Sequence, residues 1–171
     1  MKRSFASLSP QQALDAAISI EKRNAEVYYR FAEMFTEFGD EPSLEIGAVF
    51  WEMAIEERGH HALLEQKYRE QYRSSSSSLT EDDLVELIEV PRLENGDVFA
   101  AGDDATMARA RALQVALGAE RSAQSFYAKL AEQTPTGTLR QIYCDLAQME
   151  DGHVAYLEAK LTQDAAGKPR M

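Results

Sequence analysis

Apolar residues recur at steps of three and four over four long stretches, and each stretch predicts an α-helix with one buried face. The first spans about residues 10–38, with Leu14, Ile18, Ala25, Tyr28, Ala32 and Phe35 on one stripe. The second spans about 43–72, through Ile46, Phe50, Met53, Leu64 and Tyr68. The third, about 105–133, carries Leu113, Leu117, Ala123, Tyr127 and Leu130, and the fourth, about 137–161, Leu139, Ile142, Leu146 and Leu157. Boundary chemistry agrees with this division. Ser9-Pro10-Gln11-Gln12 reads as a capped helix start with a capping box. Gly39 stops the first helix before a turn through Asp40, Glu41 and Pro42, and Asp103 and Asp104 cap the third. Thr134-Pro135-Thr136-Gly137 separates the last two.

Each stripe is interrupted by polar residues where a core residue belongs. In the first it is Glu21, in the second Glu57 and His60, in the third Glu120, in the fourth Glu150 and His153. Glu57-Arg58-Gly59-His60 and Glu150-Asp151-Gly152-His153 repeat one motif, and residues three apart share a helical face. Depths match as well. At 1.5 Å per residue, Glu21 lies roughly 26 Å from the end of its helix, and Glu57 and His60 roughly 23 Å from the start of theirs. In the second hairpin the corresponding depths are roughly 20 and 22 Å. The two halves thus form an internal helix–turn–helix repeat.

The span between the second and third helices, about 73–104, is far longer than the two to eight residues usual between antiparallel bundle neighbours. Ser74–Ser78 reads as a flexible linker, Thr80–Ile88 as a short helix, and Pro91 with Asn95-Gly96-Asp97 as breakers. The expected architecture is all-α: one four-helix bundle domain over 1–171, built from two helical hairpins joined by a long crossover about a pseudo-twofold axis. Residues from Gln163 onward are expected to form a loose tail.

A length of 171 residues suits one domain with a real core. The net charge of −11 disfavours nucleic acid and an anionic membrane surface. No apolar run is long enough to span a bilayer, and the residues after Lys2 and Arg3 supply no signal-peptide core, so a cytoplasmic location is expected. Cys144 is the only cysteine, which excludes an intrachain disulfide and a four-cysteine iron site.

Four carboxylates at one depth of a bundle core repel one another and are costly to desolvate. Two divalent cations against four carboxylates resolve the conflict, with two imidazoles adding nitrogen ligands and positions left open for a small molecule. Oxygen and nitrogen donors without thiolate suit iron or manganese. A lone Glu-x-x-His pair on an amphipathic helix is ordinarily solvated; two pairs and two matching glutamates at one level are not so read.

One Glu from each of two helices and Glu-x-x-His from each of the other two is the ligand set of ferritin-like di-iron and di-manganese proteins. On these residues the chain resembles the rubrerythrin branch of that superfamily, most closely over Glu120–Leu130 and Leu139–Leu157. The resemblance implies Glu21, Glu57, His60, Glu120, Glu150 and His153 as ligands of two metal ions, iron with manganese as the alternative. It implies that the Tyr28 and Tyr127 hydroxyls bond ligand carboxylates and shape access; ordinary core tyrosines with satisfied hydroxyls are the competing reading. Two departures stand out. Rubrerythrins usually end in a four-cysteine rubredoxin domain, so electrons are expected here from a separate donor protein. They also usually carry a second carboxylate three residues after the third-helix glutamate, where this chain has Ala123, leaving a symmetric site like that of bacterioferritin.

The expected activity is therefore rubrerythrin-like reduction of hydrogen peroxide by a non-haem di-iron protein with an external electron donor, with oxygen as the other candidate oxidant. The alternatives are a ferritin-like ferroxidase or iron-handling protein, and a non-catalytic bundle with a vestigial site. A homodimer is expected from the resemblance. His61 is expected to point away from His60, Cys144 to be a small core or interface residue, and Trp51 and Phe5 to be packing or dimer-contact residues.

Overall fold

The computed structural model describes residues 8–73 and 104–166. Four helices occupy them: α1 (Pro10–Phe38), α2 (Glu41–Tyr72), α3 (Ala105–Gln133) and α4 (Thr138–Ala166). The linker at Ser74–Ser78, the short helix at Thr80–Ile88 and the turn at Asn95-Gly96-Asp97 lie outside the described residues, as does Phe5.

The helix ends follow from local hydrogen bonding. Ser9 Oγ accepts from the Gln12 amide at 3.2 Å while Gln12 Oε1 accepts from the Ser9 amide at 3.0 Å, closing the capping box. Gly39 ends α1 with φ at 71°, a left-handed conformation that glycine adopts without steric penalty. Asp40 then caps α2 directly, accepting from the Ser43 amide at 3.2 Å. The helix begins at Glu41, two residues before the expected start, because Pro42 falls in the first turn, where a missing N–H costs nothing. Asp104 caps α3 through the Met107 amide at 2.8 Å.

The end of α4 corrects the sequence reading. The helix continues to Ala166 and does not stop near 161. Leu161 packs against the core, and Asp164 accepts from Arg109 Nε of α3 at 3.3 Å, which anchors the additional turn. Arg109 is buried and also donates through Nη1 to Asp40 Oδ1 and Ser43 Oγ, each at 3.1 Å. One guanidinium thus ties α3 to the start of α2 and the end of α4.

α1 and α2 pack antiparallel, as do α3 and α4, and α1 of one hairpin touches α3 of the other. α1 and α2 approach closely at Gly47, where an added Cβ would lie 3.3 Å from the Ala32 carbonyl oxygen and from Phe35 Cβ. On the opposite side α2 and α4 are bridged by long side chains, with Lys160 paired to Glu45. Phe50 of α2 stacks on Phe35 and meets Phe31 edge-on. The buried apolar residues fall into two clusters. One holds Leu14, Ile20, Leu64, Phe126, Leu130, Tyr143 and Leu146; the other holds Phe31, Phe35, Phe50, Met53, Leu113 and Leu157. The polar residues of the four stripes lie on the helix segments between those clusters. The architecture is the expected four-helix bundle.

Candidate metal centre

Each helix contributes to the layer between the two apolar clusters in proportion to its motif. α1 supplies Glu21 and α3 supplies Glu120; α2 supplies Glu57 and His60, and α4 supplies Glu150 and His153. All four carboxylates are fully buried. The ligand-type atoms form two quartets, each with all its atoms within 4.8 Å of one another: Glu21, Glu57, His60 and Glu150, and then Glu57, Glu120, Glu150 and His153. Glu57 and Glu150 belong to both. The two glutamates of the repeated motif are therefore the shared pair, while Glu21 with His60 and Glu120 with His153 flank them.

Both imidazoles turn the same nitrogen inward. His60 Nδ1 lies 3.2 Å from Glu21, 3.7 Å from Glu57 and 3.9 Å from Glu150. His153 Nδ1 lies 3.2 Å from Glu120, 3.3 Å from Glu150 and 3.4 Å from Glu57. The rings stand 6.5 Å apart between centroids. The two tyrosines cross between hairpins. Tyr28 of α1 donates its hydroxyl to Glu120, and Tyr127 of α3 donates to Glu21. Each flanking carboxylate thus has one oxygen on a tyrosine of the other hairpin and the second on a histidine.

The electrostatics are those of a site short of cations. Burial, followed by the charges of Glu21, Glu150 and Glu120, pushes the Glu57 carboxyl well above its ordinary range. Burial and the neighbouring Glu120 do the same to Glu150. For Glu120 burial works in the same direction but is outweighed by hydrogen bonds with Glu150 and His153, so its carboxyl lies low. Burial would lower the His153 imidazole, yet the Glu120 and Glu150 carboxylates raise it to about 11. Tyr28 and Tyr127 are raised well above 10, first by burial and then by the glutamates they face, and remain hydroxyl donors.

The fit to metal rests on the shared pair. Both Glu57 oxygens and Glu150 Oε1 are buried with no hydrogen-bond partner among the described residues. Buried carboxylate oxygens left unmatched are costly. They belong to the two residues common to both quartets, where cations would satisfy them. The donor set of four carboxylates and two imidazoles suits iron or manganese.

Two residues on the ligand-bearing helices escaped the sequence reading. Glu56 of α2 accepts from His153 Nε2 at 2.7 Å across the α2–α4 side. The only local signal is an acid immediately before Glu57. Asn24, one turn beyond Glu21, is buried, and neither of its side-chain polar atoms has a partner among the described residues; a polar residue beside a ligand-bearing stripe was the signal. Three further expectations are placed directly. His61 points out of the cluster toward Glu65, 3.8 Å away. Trp51 is exposed and packs on Tyr29 with ring centroids 5.4 Å apart. Cys144 lies on the surface and not in the core, because its position on α4 falls outside the buried stripe of Ile142, Leu146 and Glu150.

Among the described residues no helix is long and apolar enough to cross a membrane. No family model matches the chain, and no curated protein does. The fold is shared with the 2.00 Å crystal structure of an uncharacterized conserved protein from Magnetospirillum magnetotacticum MS-1. That chain is 22% identical, with a TM-score of 0.69 over 96% of this chain and 98% of the other. At that identity the likeness concerns the fold.

Proposed function

We propose that this protein is a rubrerythrin-like, non-haem di-iron protein that reduces hydrogen peroxide with electrons from a separate donor protein. One observation supports the reading: two buried Glu/His quartets share Glu57 and Glu150, three of whose four oxygens have no hydrogen-bond partner among the described residues. Glu21 with His60 would hold one ion and Glu120 with His153 the other, with Glu57 and Glu150 common to both. Two iron ions bound there would supply the two electrons that, with two protons, convert hydrogen peroxide to two waters.

The protein's own residues do the rest. The carboxylates are sealed from water, and the apolar clusters on either side keep bulk solvent and larger substrates away. The two imidazoles, 10% and 12% exposed, form the accessible edge, so a molecule of peroxide size would arrive between α2 and α4. Tyr28 and Tyr127 hold Glu120 and Glu21 in place by hydroxyl donation. Electrons would return from a donor protein, in a cytoplasmic setting, with the chain as a homodimer.

The ferroxidase reading has one observation in its favour. Ala123 is buried where a rubrerythrin would carry an extra carboxylate, which leaves the two halves of the ligand set symmetric. A stopped-flow comparison of peroxide and oxygen on anaerobically prepared diferrous protein separates the two. Peroxide markedly faster, with uptake ending at two irons per chain, supports the peroxidase. Oxygen faster, with continued uptake of Fe²⁺, supports the ferroxidase.

A further inference from the structure

The repeat that relates the hairpins pairs Glu21 with Glu120, Tyr28 with Tyr127, Glu57 with Glu150 and His60 with His153. It fails at the residue before each motif: Glu56 on α2 corresponds to Met149 on α4. Glu56 reaches across to His153 Nε2 at 2.7 Å. The corresponding residue for His60 is Met149, which has no carboxylate to offer, and among the described residues no carboxylate lies within ion-pair distance of His60 Nε2. Enclosure does not separate the two imidazoles, whose exposures are 10% and 12%.

An imidazole that presents Nδ1 to a cation must carry its proton on Nε2. An acceptor at Nε2 selects that tautomer, fixes the ring and raises the basicity of Nδ1. His153 has that acceptor, and His60 has none among the described residues. We propose that the two halves of the metal centre are inequivalent: the ion held by Glu120 and His153 binds first and more tightly because Glu56 positions His153, and the ion held by Glu21 and His60 binds second. This rests on the metal-binding reading above. Glu56 is a positioning residue that acts through His153. Loss of such a partner typically lowers metal affinity about 10- to 100-fold. Glu56 is 59% exposed, which places the expected effect at the lower end.

The test is an anaerobic Co²⁺ titration of metal-free protein, followed by the visible absorption of the bound ion. Wild type should fill in two resolved steps. Glu56→Ala should weaken the first step about tenfold, and Glu56→Gln, which keeps an acceptor, should recover part of it. In a His153→Ala background Glu56→Ala should have no further effect, whereas in His60→Ala it should still weaken binding. Met149→Glu should bring the second step toward the first. Two equivalent steps in wild type, or a Glu56→Ala titration identical to it, would overturn the inequivalence and leave the metal centre standing. Absence of bound Co²⁺ in every variant would overturn the metal centre and the inequivalence together.

Discussion

Tyr28 donates its hydroxyl to Glu120 on the opposite hairpin, and the repeat returns the gesture from Tyr127 to Glu21. The bonds hold the flanking carboxylates from the side away from the histidines. Tyr28→Phe or Tyr127→Phe leaves a buried carboxylate oxygen without its donor, at a cost of about 1–3 kcal/mol to the metal-free bundle. Urea unfolding of chelator-treated protein measures this. Unchanged midpoints in both variants would mean that the hydroxyls do not carry these carboxylates in solution.

Glu57→Gln should behave oppositely with and without metal. The Glu57 carboxyl is held well above its ordinary range by burial and by the neighbouring glutamates, which favours the neutral form that a glutamine amide imitates. In metal-free protein the substitution should leave the thermal midpoint unchanged or raise it. With metal present at about 100 times the wild-type Kd, wild type should gain about 2.7 kcal/mol per ion, and the variant should lose most of that gain. Thermal unfolding with and without added Mn²⁺ checks both halves.

Metal-free protein should be more stable at pH 5.5 than at pH 8.5. Glu57, Glu150 and His153 are all raised in the folded state, His153 to about 11. Their contributions are fully present below the unfolded pKa values, about 4.3 for Glu and 6.5 for His, and are lost as pH rises through the folded ones. Glu120 is lowered, so its contribution is present above about 4.3 and disappears in stronger acid. Metal binding must displace the retained protons, so metal affinity should rise over the same interval. Urea midpoints at the two pH values, with and without metal, test the sign in each state.

Three helical glycines divide by surroundings. A Cβ at Gly59 or Gly152 would meet nothing within 4 Å, so Gly59→Ala and Gly152→Ala should each stabilise the protein by up to about 1 kcal/mol. At Gly47 an added Cβ would lie 3.3 Å from the α1 backbone, and Gly47→Val should destabilise by about 1–3 kcal/mol. Thermal or urea unfolding of the three variants tests the contrast; a stabilised Gly47→Val would mean that the hairpin can open at that contact.

What the sequence made legible is local or periodic. Ser9 with Gln12, Gly39 and the paired Glu-x-x-His motifs each announce themselves within a few residues, and the matching depths bring six side chains to one level. The rest depends on partners far along the chain. Arg109 carries no local mark of its burial, because Asp40 and Asp164 lie 69 and 55 residues away. The same pair conceals the last turn of α4. Glu56 reads as one more surface acid until α4 is placed beside α2, 97 residues from His153.

Each quartet draws carboxylates from both hairpins, and the shared Glu57 and Glu150 come one from each. Any free energy gained by an ion in either quartet is therefore also adhesion between the two helical hairpins. Chelation should then unclasp the halves before it melts the helices, so amide exchange along the facing sides of α1 and α3 should quicken while the turn at Gly39 and Asp40 stays protected.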